Sequence, residues 1–344
     1  GIPALVEFLG ADKKEGLDWI DAIKKGKEEK RYPLVNARQF IANNYPEPKF
    51  LMWPIFSERS ANQIYGGYES GKTIFGLACA MHMCSKADFV NFESKKAVPT
   101  AYVEGELPAA KVRDRFNSIL MGMKKRGIQF NYEWFHILTK DDLAMHGFKY
   151  GFESIAVSRN LSVKDAEDYG RKGRKFISNW IRDIERRLKQ PPFFTLDNIT
   201  ALADIDENRA QDWTPLIQWL IHEKNKGFAN CYYHHANKKT LKGGSSGSNA
   251  KERLLDTSMA FEKLDHKHRF NMGGDKNVQC RVQFDKSRNF GGSQHDKEFI
   301  LTCNEEGEWK RYPYLDKYDF MIIAAHNKGY SIKDITKIKE LEKK

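Results

Sequence analysis

Long apolar runs are missing from this 344-residue chain, and so is a basic segment followed by an apolar one at its start. The first absence excludes a helical membrane span and the second a secretory leader, so a non-secreted, cytoplasmic protein without membrane contact is expected. Cysteine is sparse. Cys79, Cys84, Cys231, Cys280 and Cys303 are scattered and odd in number, which fits neither a disulfide framework nor zinc spacing. They are expected to be small buried hydrophobes in a reducing compartment. No internal repeat is visible, which argues against a solenoid or propeller.

What is present is an ordinary globular composition, with 40% apolar and 30% charged residues. The length suffices for one large domain with appendages, its core held without metals or disulfides. A net charge of +11 favours a polyanionic partner without requiring one.

Three regions differ in rhythm. Residues 1–55 hold a polar amphipathic stretch, GLDWIDAIKKGKEEKR, and then a proline-broken one, and are expected to form a helical lead-in and linker. From about residue 56 to 312, short apolar runs alternate with helix-length segments, the pattern of a mainly parallel sheet flanked by helices. Strands are expected at 62–66, 100–105, 134–138, 192–197 and 229–235, with helices at 72–86, 108–125, 173–189 and 211–226. Beyond 256, SMAFEKL, VQCRVQFDK and EFILTC are expected as further strands that extend or flank the sheet. The tail, 313–344, is expected as two amphipathic helices broken at NKGYS, with Ser331 as an N-cap, forming either a packing appendage or part of a helix-turn-helix unit. The stretch 140–175 is expected as an insertion between a strand and a helix, serving as a lid, a subunit contact or a further binding loop.

Residues 65–74, YGGYESGKTI, satisfy the spacing G-x-x-x-x-G-K-[ST] through Gly66, Gly71, Lys72 and Thr73. The chemistry explains the spacing: the loop's backbone N–H groups and the following helix N-terminus surround a β-phosphate, Lys72 reaches the β and γ oxygens, and the Thr73 hydroxyl ligates Mg²⁺. The whole cradle, Gly66, Gly67, Tyr68, Glu69, Ser70, Gly71, Lys72, Thr73 and Ile74, is thus expected to hold a nucleotide, ATP with Mg²⁺. A second metal-shell carboxylate should end a buried apolar strand, and PPFFTLD offers Asp197. Hydrolysis also needs a group that activates water, and AYVEGELP offers Glu104 and Glu106. Residues two apart on a strand face the same side, so spacing alone leaves both open.

An ordered series of motifs over about residues 50–312, GGYESGKT, YVEGELP, FFTLDNITAL, YYHHANK, GGSSGS and FDKSRNFGG, resembles the RecA-like hexameric helicase ATPases, particularly the plasmid RepA type and more distantly the DnaB family. The resemblance implies a RecA-like P-loop fold. It selects Glu106 over Glu104 as the catalytic base and makes His235 the γ-phosphate sensor, with His234 its neighbour. It also implies that Lys286 and Arg288 enter the site of the adjacent subunit, where a cation offsets the charge that develops on the transferred phosphoryl group. The loop after the sensor strand would face a central channel, with Lys238, Lys239, Lys242, Lys251 and Arg253 on phosphates and Gly243, Gly244, Ser245 and Ser246 as donors to single-stranded DNA, RNA being left open. No aromatic interrupts that loop, so backbone tracking without sequence preference is expected.

The expectation is therefore an ATP-driven helicase motor working as a homo-oligomeric, hexameric ring in replication, with a primase or another replication protein as a conceivable partner. Its compartment would be the cytoplasm or wherever the host keeps its DNA. Two rivals stand beside it: a RecA-like recombination or regulatory ATPase that binds DNA without unwinding it, and a nucleotide-gated adaptor or loader.

Overall fold

The computed structural model describes residues 35–45, 49–147, 163–203, 210–235, 255–264, 278–288 and 297–314. The chain divides into two units, Gly1–Glu47 and Pro48–Lys344. In the first, a single turn-and-a-half of helix is described, α1 (Ala37–Ala42), started by a reciprocal capping box between Asn36 and Gln39. The boundary falls before residue 48 rather than at 55, because Leu51, Met52 and Ile55 are buried in the core of the second unit. They belong to a small hairpin, β1 (Phe50–Met52) with β2 (Phe56–Ser57).

The second unit is built on a nine-stranded sheet. Its parallel part contains β3 (Ala61–Gly66), β4 (Thr100–Glu104), β5 (Phe135–Thr139), β6 (Phe193–Asp197), β7 (Ala229–His235) and β8 (Thr257–Lys263). These stand in the order β8-β3-β7-β6-β4-β5, with every neighbouring pair parallel. Three late strands, β9 (Val278–Ser287), β10 (Glu298–Cys303) and β11 (Trp309–Pro313), extend it beyond β8 by antiparallel pairing. This is the RecA-like α/β arrangement expected from the motif order. The change of rhythm after residue 256 begins with β8, the last parallel strand of the described residues, and continues into the antiparallel ones.

Alternation along the central strands sends side chains into two cores. On one face Tyr102, Phe193, Cys231 and Tyr233 pack with α2 (Lys72–Cys84) and with Ile119 and Met123 of α3 (Ala109–Lys125). On the other, Ala101, Val103, Phe194, Leu196 and Tyr232 pack with Ile177, Ile181 and Ile184 of α5 (Val163–Leu188) and with Leu216, Ile217 and Leu220 of α7 (Ala210–Asn225). Strands buried on both faces read as near-continuous apolar runs, which is why their positions are legible without a period-2 pattern. Phe75 of α2 meets Phe89, Phe92, Phe261 and Trp309, so it ties the P-loop helix to β8 and β11. Removal of such a ring costs about 3–5 kcal/mol. All five cysteines are buried and unbridged.

The stretch 140–175 is not one insertion. Its start forms α4 (Lys140–Met145), capped by a Thr139–Asp142 box, and its end, from Val163, is already the long helix α5. The alternation of basic and apolar residues in that helix begins earlier than the apolar residues alone indicate, because its first turns carry few of them. Residues 148–162 lie outside the described residues, as does the tail 315–344. Among the described residues no helix is long and apolar enough to cross a membrane.

Candidate functional site

The carboxyl ends of β3, β4, β6 and β7 converge on a cavity of about 600 Å³. Tyr68 to Ile74 line it together with Glu106, Arg115, Asp197, Asn198, His235, Lys263, Val278 and Gln279. The glycines explain the loop's course. Gly71 caps α2 with φ +87°, and a Cβ there would come within 2.4 Å of Val278 Cγ1. Gly66 lies so close to β8 that a Cβ would meet the Phe261 carbonyl oxygen at 2.1 Å. No side chain caps α2, so its first N–H groups face the cavity, an arrangement suited to an anion.

Lys72 is buried and donates to the carbonyl oxygens of Gly66 at 2.8 Å and Gly67 at 2.7 Å, and to Ser70 Oγ at 3.3 Å. Its charge is thereby held over the loop it would leave for a phosphate. At the loop's tip Glu69 is paired with Lys263 of β8 at 2.6 Å, an exposed contact worth little by itself.

Asp197 ends β6, fully enclosed, and accepts from Tyr102 Oη at 2.6 Å. The Thr73 hydroxyl also bonds to it. Beside it on the neighbouring strand, Glu104 is paired in register with Asp197. Burial, with each carboxyl near the other, pushes Glu104 above the usual carboxylate range, and burial raises Asp197 against the Tyr102, Thr73 and Lys72 contacts. A hydroxyl and a buried carboxylate form the hard-oxygen pair that Mg²⁺ favours, so Thr73 and Asp197 fit that ion.

The structure separates the two glutamates. β4 stops at Glu104, so the two are not two steps apart on one strand. The Glu104 carboxylate turns back to accept from the backbone N–H groups of Glu106 and Leu107, at 2.8 and 2.9 Å, while Gly105 N donates to the Asp197 carbonyl. This bend buries Glu104 and places only Glu106 in the cavity wall. The Glu106 carboxyl is held below the usual range by His235, then by Lys72 and the Asn198 amide, against partial burial.

His235 closes β7 and stacks under the Tyr68 ring, with centroids 4.2 Å apart. His234, one residue earlier, points away from the cavity and stacks on Tyr65.

A model of the AAA domain family matches residues 27–240, well over half of the chain. The chain belongs to this family. Among solved structures it is similar to a KaiC-like protein from the hyperthermophilic archaeon Pyrococcus horikoshii, with 15% identity, a TM-score of 0.45, and coverage of 78% of this chain and 96% of that one. No curated protein matches. Family and strand order together make the AAA domain a RecA-like P-loop ATPase.

The fold does not bring Lys286 and Arg288 to the cavity of their own chain. Because β9 runs antiparallel to β8, its first residues, Val278 and Gln279, stand at the P-loop, and Lys286 and Arg288 stand at the opposite end of the strands, where Arg288 N donates to the Asp256 carbonyl. A bulge between Ser258 and Met259 leaves Asp285 as the extra residue, and its carboxylate accepts from the Tyr65 hydroxyl. The expected DNA-loop residues, Lys238 to Arg253, lie outside the described residues of the AAA domain. Sequence reasoning missed Asn198, Arg115, Lys263, Val278 and Gln279 as cavity residues. Asn198 could have been found, since it follows Asp197 directly, whereas the others reach the wall only through strand and helix packing.

Proposed function

We propose that this AAA domain protein is an ATP-hydrolysing, ring-forming helicase motor, hexameric by its motif resemblance, acting on single-stranded DNA in replication. One observation carries the reading. Lys286 and Arg288 stand about 23 and about 30 Å from Gln279 along β9 at ~3.3 Å per residue, so they cannot serve the cavity of their own chain. Such a pair gains a catalytic role only when a neighbour's cavity is pressed against that end of the strands, a head-to-tail contact that must close into a ring or run on as a filament.

In the proposed cycle Lys72 exchanges the Gly66 and Gly67 carbonyls for the β and γ oxygens of ATP. Mg²⁺ on Thr73 and Asp197 would supply charge neutralisation at those phosphates. Glu106, ionised at neutral pH, accepts the proton of the attacking water. His235 meets the γ-phosphate and relays its presence to the chain that follows β7, where the lysine-rich residues 238–253 would hold the strand. The neighbour's Arg288 and Lys286 offset charge on the transferred group.

The test combines single-strand-stimulated ATPase, strand displacement and imaging with a non-hydrolysable ATP analogue and single-stranded DNA. Rings with displacement are expected. Stimulation without displacement would replace the motor by a recombinase-like ATPase, and nucleotide binding with negligible turnover by an adaptor. Full turnover by demonstrably monomeric protein would overturn the shared site.

A further inference from the structure

We propose that Asn198 is the positioning residue of the site, its side-chain amide tying the Glu106 carboxylate to the His235 ring. The proposal rests on Glu106 being the group that activates water. Asn198 is buried immediately after Asp197, at the start of the short helix α6 (Ile199–Ala203). Its orientation is dictated by its own helix: Oδ1 accepts from Ala201 N at 2.7 Å and from Thr200 Oγ1 at 2.9 Å. The amine end must therefore face the cavity. There Nδ2 lies 2.7 Å from Glu106 Oε2 and 2.9 Å from His235 Nε2.

Two consequences follow from donor and acceptor chemistry. An amide nitrogen has only protons to offer, so in this bond His235 Nε2 accepts and the ring's own proton stands on Nδ1, a buried atom without a hydrogen-bond partner among the described residues. The direct separation between His235 Nε2 and Glu106 Oε2 is 3.5 Å, longer than either contact of the amide, so the amide is the closer bridge between them. Glu106 needs such a bridge. Its side chain is 47% exposed and sits beyond the end of β4, where no strand neighbour fixes its rotamer. The Tyr68 ring covers the other side of His235, so side chains from the P-loop and from the ends of β4, β6 and β7 are joined through one amide.

A role limited to starting α6 would need only the oxygen, and this separates positioning from support. Asn198→Asp retains both Oδ bonds to Ala201 and Thr200 and loses the amine. Asn198→Ser retains a capping oxygen without adding charge. Asn198→Ser should melt close to the wild type and Asn198→Asp lower, because it buries a further carboxyl beside Glu106 and Asp197; both should have kcat lowered roughly 10- to 100-fold and KM for ATP changed less than about 3-fold, as expected for a displaced catalytic group. Wild-type kcat in both variants overturns the proposal. Glu106→Gln run alongside tells the two readings apart: an active Glu106→Gln removes Glu106 as the base, whereas an inactive Glu106→Gln beside fully active Asn198 variants removes only the role of Asn198. A measurement on the unmodified protein stands independent of any variant's folding. In imidazole ¹H–¹⁵N spectra of the full chain, assigned with His235→Gln, His235 should show an unprotonated, hydrogen-bonded Nε2 and a protonated Nδ1. A protonated Nε2 overturns the bridge.

Discussion

Gln279 and Arg288 stand at opposite ends of one strand, the first in the wall of the nucleotide cavity and the second about 30 Å away beside Asp256. This polarity predicts that Arg288→Ala retains ATP binding and loses turnover, while Lys72→Ala loses both. The two inactive variants should complement each other. Mixed before assembly in equal amounts, they restore about a quarter of the interfaces, each pairing an intact Lys72 with a neighbour's intact Arg288. ATPase recovery on mixing checks this, and co-assembly without recovery would place the arginine elsewhere.

Glu104 and Glu106 should differ in kind when changed. Glu106→Gln is expected to lower kcat by roughly 10²-fold or more with nucleotide binding intact. Glu104→Gln keeps Oε1 for the Glu106 and Leu107 N–H groups and removes one charge from a buried carboxyl pair. Because burial raises the folded-state value of Glu104, the native state binds more protons there than the unfolded chain, and stability falls as pH rises above about 4.5. The melting temperature of Glu104→Gln should therefore exceed that of the wild type by a margin that grows toward neutral pH. Thermal melts of nucleotide-free protein across that range give the comparison.

Gly71 and Gly67 make a second contrasting pair. Gly71→Ala forces a Cβ onto Val278 and onto φ +87°, costing on the order of 1–3 kcal/mol and weakening ATP binding. Gly67→Ala meets nothing within 4 Å and should leave the melting temperature almost unchanged. Equal destabilisation by both would show that the loop relaxes in ways the packing against Val278 does not dictate.

His82 supplies a pH dependence with the opposite slope. Buried in α2, its ring hydrogen-bonds the Ala78 carbonyl at 2.8 Å, and burial depresses it from 6.5 to about 4. The unfolded chain takes up this proton first on acidification. Stability is thus complete above pH 6.5 and declines as pH falls toward 4, by up to about 3 kcal/mol. His82→Gln should remove that part of the acid sensitivity, as denaturant titrations at several pH values would register.

Much of the site was legible before any folding. Gly66, Gly71, Lys72 and Thr73 carry their chemistry in their spacing, because a phosphate loop is local: the six residues from Gly66 to Gly71 turn the chain and the next, Lys72, begins the helix. Asp197 was legible as the end of a buried apolar run. The choice between Glu104 and Glu106 was open to spacing and made only by the motif resemblance, since it depends on where β4 stops, and there the Glu104 carboxylate folds back onto the N–H groups of Glu106 and Leu107. Asn198 was in plain view beside Asp197, yet its role depends on which end of its amide faces Glu106, a matter settled by Thr200 and Ala201.

The parallel sheet and the phosphate loop were written in the sequence, because burial on both faces and local turn chemistry leave direct marks in the chain. The fold was needed to show that Glu104 turns back on its own chain, that Val278 and Gln279 close the cavity wall, and that Lys286 and Arg288 stand at the opposite end of the strands. Those outcomes depend on strand direction and register, and antiparallel pairing of β9 with β8 sends one end of a strand toward the nucleotide and the other away from it.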